Sequence, residues 1–344
     1  MTPAVVLEGL RARKPAALAR AISLVENGAD GFESLLMALH DAVGRARRIG
    51  ITGPPGAGKS TLVERLTRAY REAGLTVGIL AVDPTSPFTG GALLGDRIRM
   101  ERQSLDPGVF IRSMASRGAL GGMATATAEV ADVMDAFGFD RILIETVGVG
   151  QSELDVIRVA DTTVVVLVPE SGDGIQVMKA GLMEIADVFV VNKADRPGAD
   201  RLRQELEVAL GVRTGNAYLH IPAHHAPAHQ GTGVPAHRDA TAAWEPPVVA
   251  TVAVKDEGIG ALVSALDRHF DALTASGRLE ERRAARRGQR LREVVDRAVR
   301  RWVWGPDGPG AELAHAVADV TAGRRSPYGA AEAVVRRLTG GLGG

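Results

Sequence analysis

Apolar residues in the first 47 positions recur at helical spacing: Leu7, Leu10, Leu18, Ile22 and Val25, then Leu35, Leu36, Leu39 and Val43. This predicts an N-terminal helical hairpin, residues 1–47. From Ile49 the pattern changes to short apolar, β-rich runs alternating with helix-length amphipathic segments. Such alternation indicates βαβ units and a mostly parallel central sheet flanked by helices, an α/β fold. About seven strands are expected, near 48–52, 76–82, 109–112, 140–145, 162–168, 187–192 and 248–253. Helices near 59–73, 122–137 and 258–273 lie between them. Residues 212–247 are rich in Gly, Pro, Ala and His without a period, and read as a flexible loop inserted before the last strand of a 48–275 domain. After Gly277 the chain becomes charged and helical, with Leu291, Val294, Val295, Ala298 and Trp302 on one face. Two shorter helices near 311–321 and 328–338 complete a third segment, 276–344.

A chain of 344 residues accommodates one large α/β domain with appended helices, or two modest domains. Lys plus Arg and Asp plus Glu number 41 each, so no overall field draws the molecule to nucleic acid or to an anionic membrane. The longest apolar runs, such as 162–168, fall far short of the roughly 20 residues of a membrane-spanning helix, so no membrane partner is expected. There is no cysteine, which excludes disulfides and thiolate chemistry and suits a reducing compartment. The N-terminus lacks the apolar core of a signal peptide. The expected location is cytoplasmic.

The strongest chemical signal is GPPGAGKST, comprising Gly53, Pro54, Pro55, Gly56, Ala57, Gly58, Lys59, Ser60 and Thr61. It follows the strand RIGIT and opens an amphipathic helix, the setting of a phosphate loop. Glycines let successive backbone N–H groups turn inward, and the helix N-terminus adds partial positive charge. Lys59 then reaches the β- and γ-phosphates, and the Ser60 hydroxyl serves Mg²⁺. The second signal is NKAD after the apolar run DVFVV, with Asn192, Lys193 and Asp195. A carboxylate at Asp195 accepts from guanine N1 and its exocyclic amine, donors that adenine lacks; this favours GTP and GDP over ATP. Thr251, Val252 and Ala253 occupy the base-clamping loop, where a backbone N–H of Val252 or Ala253 serves the purine. Three acids are candidates for the Mg²⁺ site: Asp83 and Glu145 end strands at the carboxyl edge of the sheet, where ligands bind, and Asp96 follows a Gly-rich stretch. Helix capping or turn chemistry is the alternative for Asp83 and Asp96. Gly148 is expected to sense the γ-phosphate through its N–H. Gln151 is a candidate to orient water, but its offset from Gly148 differs from that of the Ras glutamine, and a solvent-facing loop residue is the alternative; Arg112 and Arg117 lie near a strand end without the setting of a cis arginine finger. Slow intrinsic hydrolysis, stimulated by a partner, is therefore expected.

Taken together, GPPGAGKST, AVDPTSPFTGGALLGDRIRM, FIRSMASRGALGG, ETVGVGQSE and ADVFVVNKADRPGAD resemble the methylmalonyl-CoA mutase-associated GTPase family (MeaB/ArgK) over about residues 10–340. The Glu-x-x-Gly at Glu145 and Gly148 is similar to that of metallocentre-assembly GTPases with dimeric, signal-recognition-like P-loop folds. The resemblance implies a GTPase that assembles, protects and reactivates an adenosylcobalamin-dependent acyl-CoA mutase. It assigns Lys59 and Ser60 to phosphate and Mg²⁺, and Asp83, Asp96 and Glu145 to the magnesium site. It further implies a switch loop at 169–181 carrying Asp173 and Lys179, and a C-terminal helical arm that forms a homodimer. Two other readings stay open. His220, His224, His225, His229 and His237 lie in the 212–247 loop, as in a nickel metallochaperone GTPase. A P-loop kinase linked to basic amino-acid transport is the other.

Overall fold

The computed structural model describes residues 2–83, 105–115, 122–146, 156–169, 182–213, 244–304 and 310–340. These divide into two compact units, Met1–Arg286 and Arg287–Gly344.

The first unit is built on seven strands: β1 (Arg47–Thr52), β2 (Val77–Asp83), β3 (Val109–Ala115), β4 (Arg141–Thr146), β5 (Thr162–Leu167), β6 (Val188–Asn192) and β7 (Val248–Thr251). Every pairing is parallel, in the order β3-β2-β4-β1-β5-β6-β7. β5 and β6 are buried along their whole length, as expected of strands covered on both faces. On one face, Leu80, Val82, Met114, Ile142 and Ile144 pack against α1 (Pro3–Arg11), α2 (Pro15–Glu26), α3 (Phe32–Leu39) and α5 (Gly122–Phe137). On the other, Ile49, Ile51, Ile79, Leu143, Val164 and Val190 meet α4 (Lys59–Glu72) and α8 (Ile259–Ala275). α6 (Leu182–Ile185) and α7 (Ala199–Arg213) cover Val165, Leu167, Phe189 and Val191. The alternation of residues such as Ile79 and Leu80 between two cores is the period-2 geometry of a strand.

The N-terminal helical segment comprises three helices; Gly31, with φ of 84°, gives the chain its left-handed break before the third. Expected β7 ran to 253 but ends at Thr251, because the Val252 N–H turns to the Glu257 carbonyl (3.1 Å) and Ala253–Lys255 forms a 3₁₀ turn. α7 continues to Arg213, two residues into the segment read as loop.

The long helix α9 (Arg278–Trp304) begins in the first unit. Arg283 and Arg286 pair with the buried Asp161, and Arg282 with Asp187, at the amino ends of β5 and β6. Burial pushes the Asp161 carboxyl up, but the hydrogen bond from Arg283 and the charges of Arg286 and Arg283 outweigh it, so Asp161 titrates below the usual carboxylate range. In the second unit, α10 (Gly310–Thr321) and α11 (Pro327–Gly340) pack on each other. Leu291, Val295, Val299 and Trp302 on the remainder of α9 are exposed.

Candidate nucleotide site

The chain leaves β1 toward β2 on one side, while the β4-to-β5 connection crosses β1 to the other. The carboxyl end of β1 is thus the point where connections diverge, the position at which open α/β sheets bind ligands. Gly53 to Thr61 occupy that point, between the end of β1 and the first turn of α4. Gly53 has φ of 139°, and a Cβ there would lie 2.1 Å from the Val166 carbonyl oxygen, so the loop's first position admits only glycine. A Cβ on Gly58 would lie 2.4 Å from Asn192 Nδ2. At Gly56 a Cβ would meet nothing within 4 Å. The loop is therefore packed against β5 and β6 but open at its middle. Lys59 is buried, and its Nζ donates to the carbonyls of Gly53 (2.8 Å) and Pro54 (3.0 Å).

The Ser60 hydroxyl donates to Glu145 Oε1 at 2.6 Å. Glu145 is buried, and its Cα registers with Ile51 on β1 and Ala81 on β2. The Ser60 hydroxyl in the first turn of α4 and the Glu145 carboxylate near the end of β4 are oxygen donors of the kind a hard cation such as Mg²⁺ takes. The backbone of Asp83 ends β2 at the same edge; its side chain lies outside the described residues. Asp96, Gly148, Gln151, Arg117, Asp173, Lys179 and the five loop histidines also lie outside them. Arg112, on the edge strand β3, pairs with Glu26 and reaches Ser23 Oγ at 3.3 Å, which occupies its guanidinium away from the phosphate loop.

Asn192, Lys193 and Asp195 leave the carboxyl end of β6 at the same sheet edge. Asn192 is buried and makes three contacts: Nδ2 donates to the Ala57 carbonyl (2.8 Å), and Oδ1 accepts from Thr251 Oγ1 (3.1 Å) and Ala253 N–H (3.2 Å). It therefore ties the phosphate loop to the segment that follows β7. Thr251 pairs in register with Asn192 across β6 and β7, and its hydroxyl takes one of the Asn192 bonds. The N–H groups of Val252 and Ala253 make bonds within the protein, to Glu257 and Asn192. Lys193 adopts a left-handed φ of 55°. Asp195 is exposed, and Lys255 Nζ lies 2.9 Å from its Oδ2, a pairing that sequence reasoning missed. That hydrogen bond and its charge hold the Asp195 carboxyl below the usual range.

A phosphate loop between parallel strand and helix, facing an Asn-Lys-x-Asp loop across the same sheet edge, defines a P-loop nucleoside triphosphatase fold. The solved structure of a LAO/AO transport system kinase shares it over 98% of each chain, with TM-score 0.65 and 28% identity. The chain belongs to the methylmalonyl Co-A mutase-associated GTPase MeaB family, whose profile matches residues 18–306. A Pyrococcus abyssi protein provisionally named a GTPase is 44% identical over 336 residues, 98% of this chain and 97% of its own. The Escherichia coli protein named GTPase ArgK is 36% identical over 294 residues, 84% of this chain and 82% of its own. A mouse protein named methylmalonic aciduria type A homolog, mitochondrial, is 36% identical over 236 residues, 69% of this chain and 52% of its own. Among the described residues no helix is long and apolar enough to cross a membrane.

Proposed function

We propose that this protein hydrolyses Mg-GTP to GDP and phosphate in order to assemble, protect and reactivate an adenosylcobalamin-dependent acyl-CoA mutase. The observation that carries the nucleotide part is the three-way bond of Asn192, which joins the phosphate loop to the loops at the purine end of the site. The mutase part is supported by the family's own description.

In this reading the backbone N–H groups from Gly53 to Thr61 cradle the phosphates, and Lys59 exchanges its loop carbonyls for phosphate oxygens. Ser60 and Glu145 hold Mg²⁺ with help from Asp83 and Asp96; the ion, when bound, neutralises charge developing on the phosphate oxygens. Asp195 reads guanine, with Asn192 and Lys193 bracing its loop and Val252 and Ala253 bordering the base. Gly148 responds to the γ-phosphate, and Asp173 and Lys179 pass that state to the mutase. The exposed apolar stripe of α9 supports homodimerisation through the C-terminal helices, since large apolar faces left open on a single chain mark interaction surfaces. The protein acts in the cytoplasm.

The test is GTP turnover by the purified protein with and without a cobalamin-dependent acyl-CoA mutase from the same host. Stimulation is expected, and no acceleration with any such mutase overturns the partnership. The structural relative that matches over 98% of each chain is named a transport system kinase, which favours a second reading, phosphoryl transfer from ATP. Competition between GTP and ATP separates the two, because ATP displacing GTP selects the kinase.

A further inference from the structure

The segment after β7 is a braced bracket. The Ala194 N–H donates to the Thr251 carbonyl at 3.0 Å, Val252 N–H closes on Glu257, and Lys255 N–H donates to the Val252 carbonyl at 2.8 Å. Next to Lys255, Asp256 sits at φ of 62°, and its carboxylate accepts from Arg65 (3.1 Å) and Arg68 (3.2 Å) on the helix that follows the phosphate loop. The backbone of Lys255 is thereby fixed to both the phosphate-loop helix and the end of β6. From that position its ammonium reaches Asp195 Oδ2 at 2.9 Å.

Asp195 lies on an exposed turn, where an unsupported carboxylate samples several rotamers. Recognition of a purine by two parallel hydrogen bonds requires one carboxylate orientation. Each carboxylate oxygen carries two acceptor sites, so Oδ2 can keep the Lys255 bond and still receive a purine donor. The pairing therefore supports base reading rather than competing with it. Arg196 adds a weaker positive field from Asp195's own loop, and Glu257 faces Lys255 with opposite charge from the bracket; neither replaces the 2.9 Å bond.

We propose that Lys255 is a specificity-determining positioning residue, which presets the Asp195 carboxylate for a purine carrying both an N1 donor and an exocyclic amine. This rests on the reading of Asp195 as the guanine acceptor. The test uses the full chain as wild type, Lys255→Met and Lys255→Arg, with affinities for GDP, IDP and ADP measured by calorimetry. IDP keeps the N1 donor and lacks the amine. Expected results are a wild-type preference for GDP over ADP, and a GDP affinity about 2- to 5-fold weaker in Lys255→Met, the range of a solvent-exposed charge pair. IDP binding should change less, so the GDP-to-IDP ratio falls, and Lys255→Arg should restore it. An unchanged ratio in Lys255→Met, or tighter GDP binding, overturns the role of Lys255 while leaving Asp195 as the reader. Wild type failing to prefer GDP over ADP overturns the reading of Asp195 itself, and this inference with it.

Discussion

Replacing Asn192 with Ala removes the carboxamide that links three segments and leaves its partners where they are. The Ala57 carbonyl, the Thr251 hydroxyl and the Ala253 N–H each lose a bond, at 2.8, 3.1 and 3.2 Å respectively. All three residues are buried. A buried polar group left unpaired destabilises by about 1–3 kcal/mol, and water entering the space of the carboxamide recovers part of this. The expected loss is about 2–4 kcal/mol of unfolding free energy, without nucleotide. The three tryptophans offer a local assay: with Trp302→Phe and Trp304→Phe as background, Trp244 alone reports the first unit. It is well placed, since its indole N–H donates to the Asp187 carbonyl at 2.8 Å. Guanidinium unfolding followed at Trp244 should show a lower midpoint at unchanged slope. GDP affinity should fall in parallel. A variant within about 0.5 kcal/mol of its background would refute the argument that this side chain holds the site together.

Gly53→Ala should abolish nucleotide binding in a calorimetric titration, because the added Cβ lies 2.1 Å from the Val166 carbonyl and the φ is one that alanine avoids; binding within about 3-fold of wild type contradicts the geometry. Asp161 titrates below the ordinary carboxylate value of about 3.9, so its contribution to stability is complete above that value and is lost as pH falls through the depressed folded one. Asp161→Asn should lower unfolding free energy at pH 7 by about 3–5 kcal/mol, by leaving Arg283 and Arg286 without their buried partner. It should also flatten the acid limb of the stability curve; an acid limb as steep as wild type counts against the assignment. Ser60→Ala should weaken the Mg²⁺ dependence of GTP binding, read as the ratio of affinities with and without the ion; an unchanged ratio removes Ser60 from the metal site.

The strands were legible because buried parallel strands are continuous apolar runs: 162–168 was expected, and Thr162–Leu167 is found. β3 was expected near 109–112, and the polar Arg112 and Ser113 that follow residues 109–111 give no apolar run to extend it. It continues to Ala115 as an edge strand, where Arg112 takes Glu26 as partner. The phosphate loop and NKAD were legible because their chemistry is local, one loop between a strand and a helix. The Lys255 pair with Asp195 joins residues 60 positions apart through two polar loops, and no period or spacing announces it. The arginine clamp on Asp161 was hidden for a similar reason. In the sequence, Arg283 and Arg286 are two of many arginines on a charged helix, and only the fold brings them to the amino end of β5.

The central claim is that a carboxylate at Asp195 selects the purine of a triphosphate held by the phosphate loop. Affinities of wild type and Asp195→Asn for GDP, ADP and XDP test it directly. Wild type should bind GDP in preference to both others, and the variant should lose about 100-fold or more for GDP while gaining XDP, whose C2 carbonyl accepts from the new amide. An Asp195→Asn protein that binds GDP, ADP and XDP in the same ratios as wild type would contradict the account.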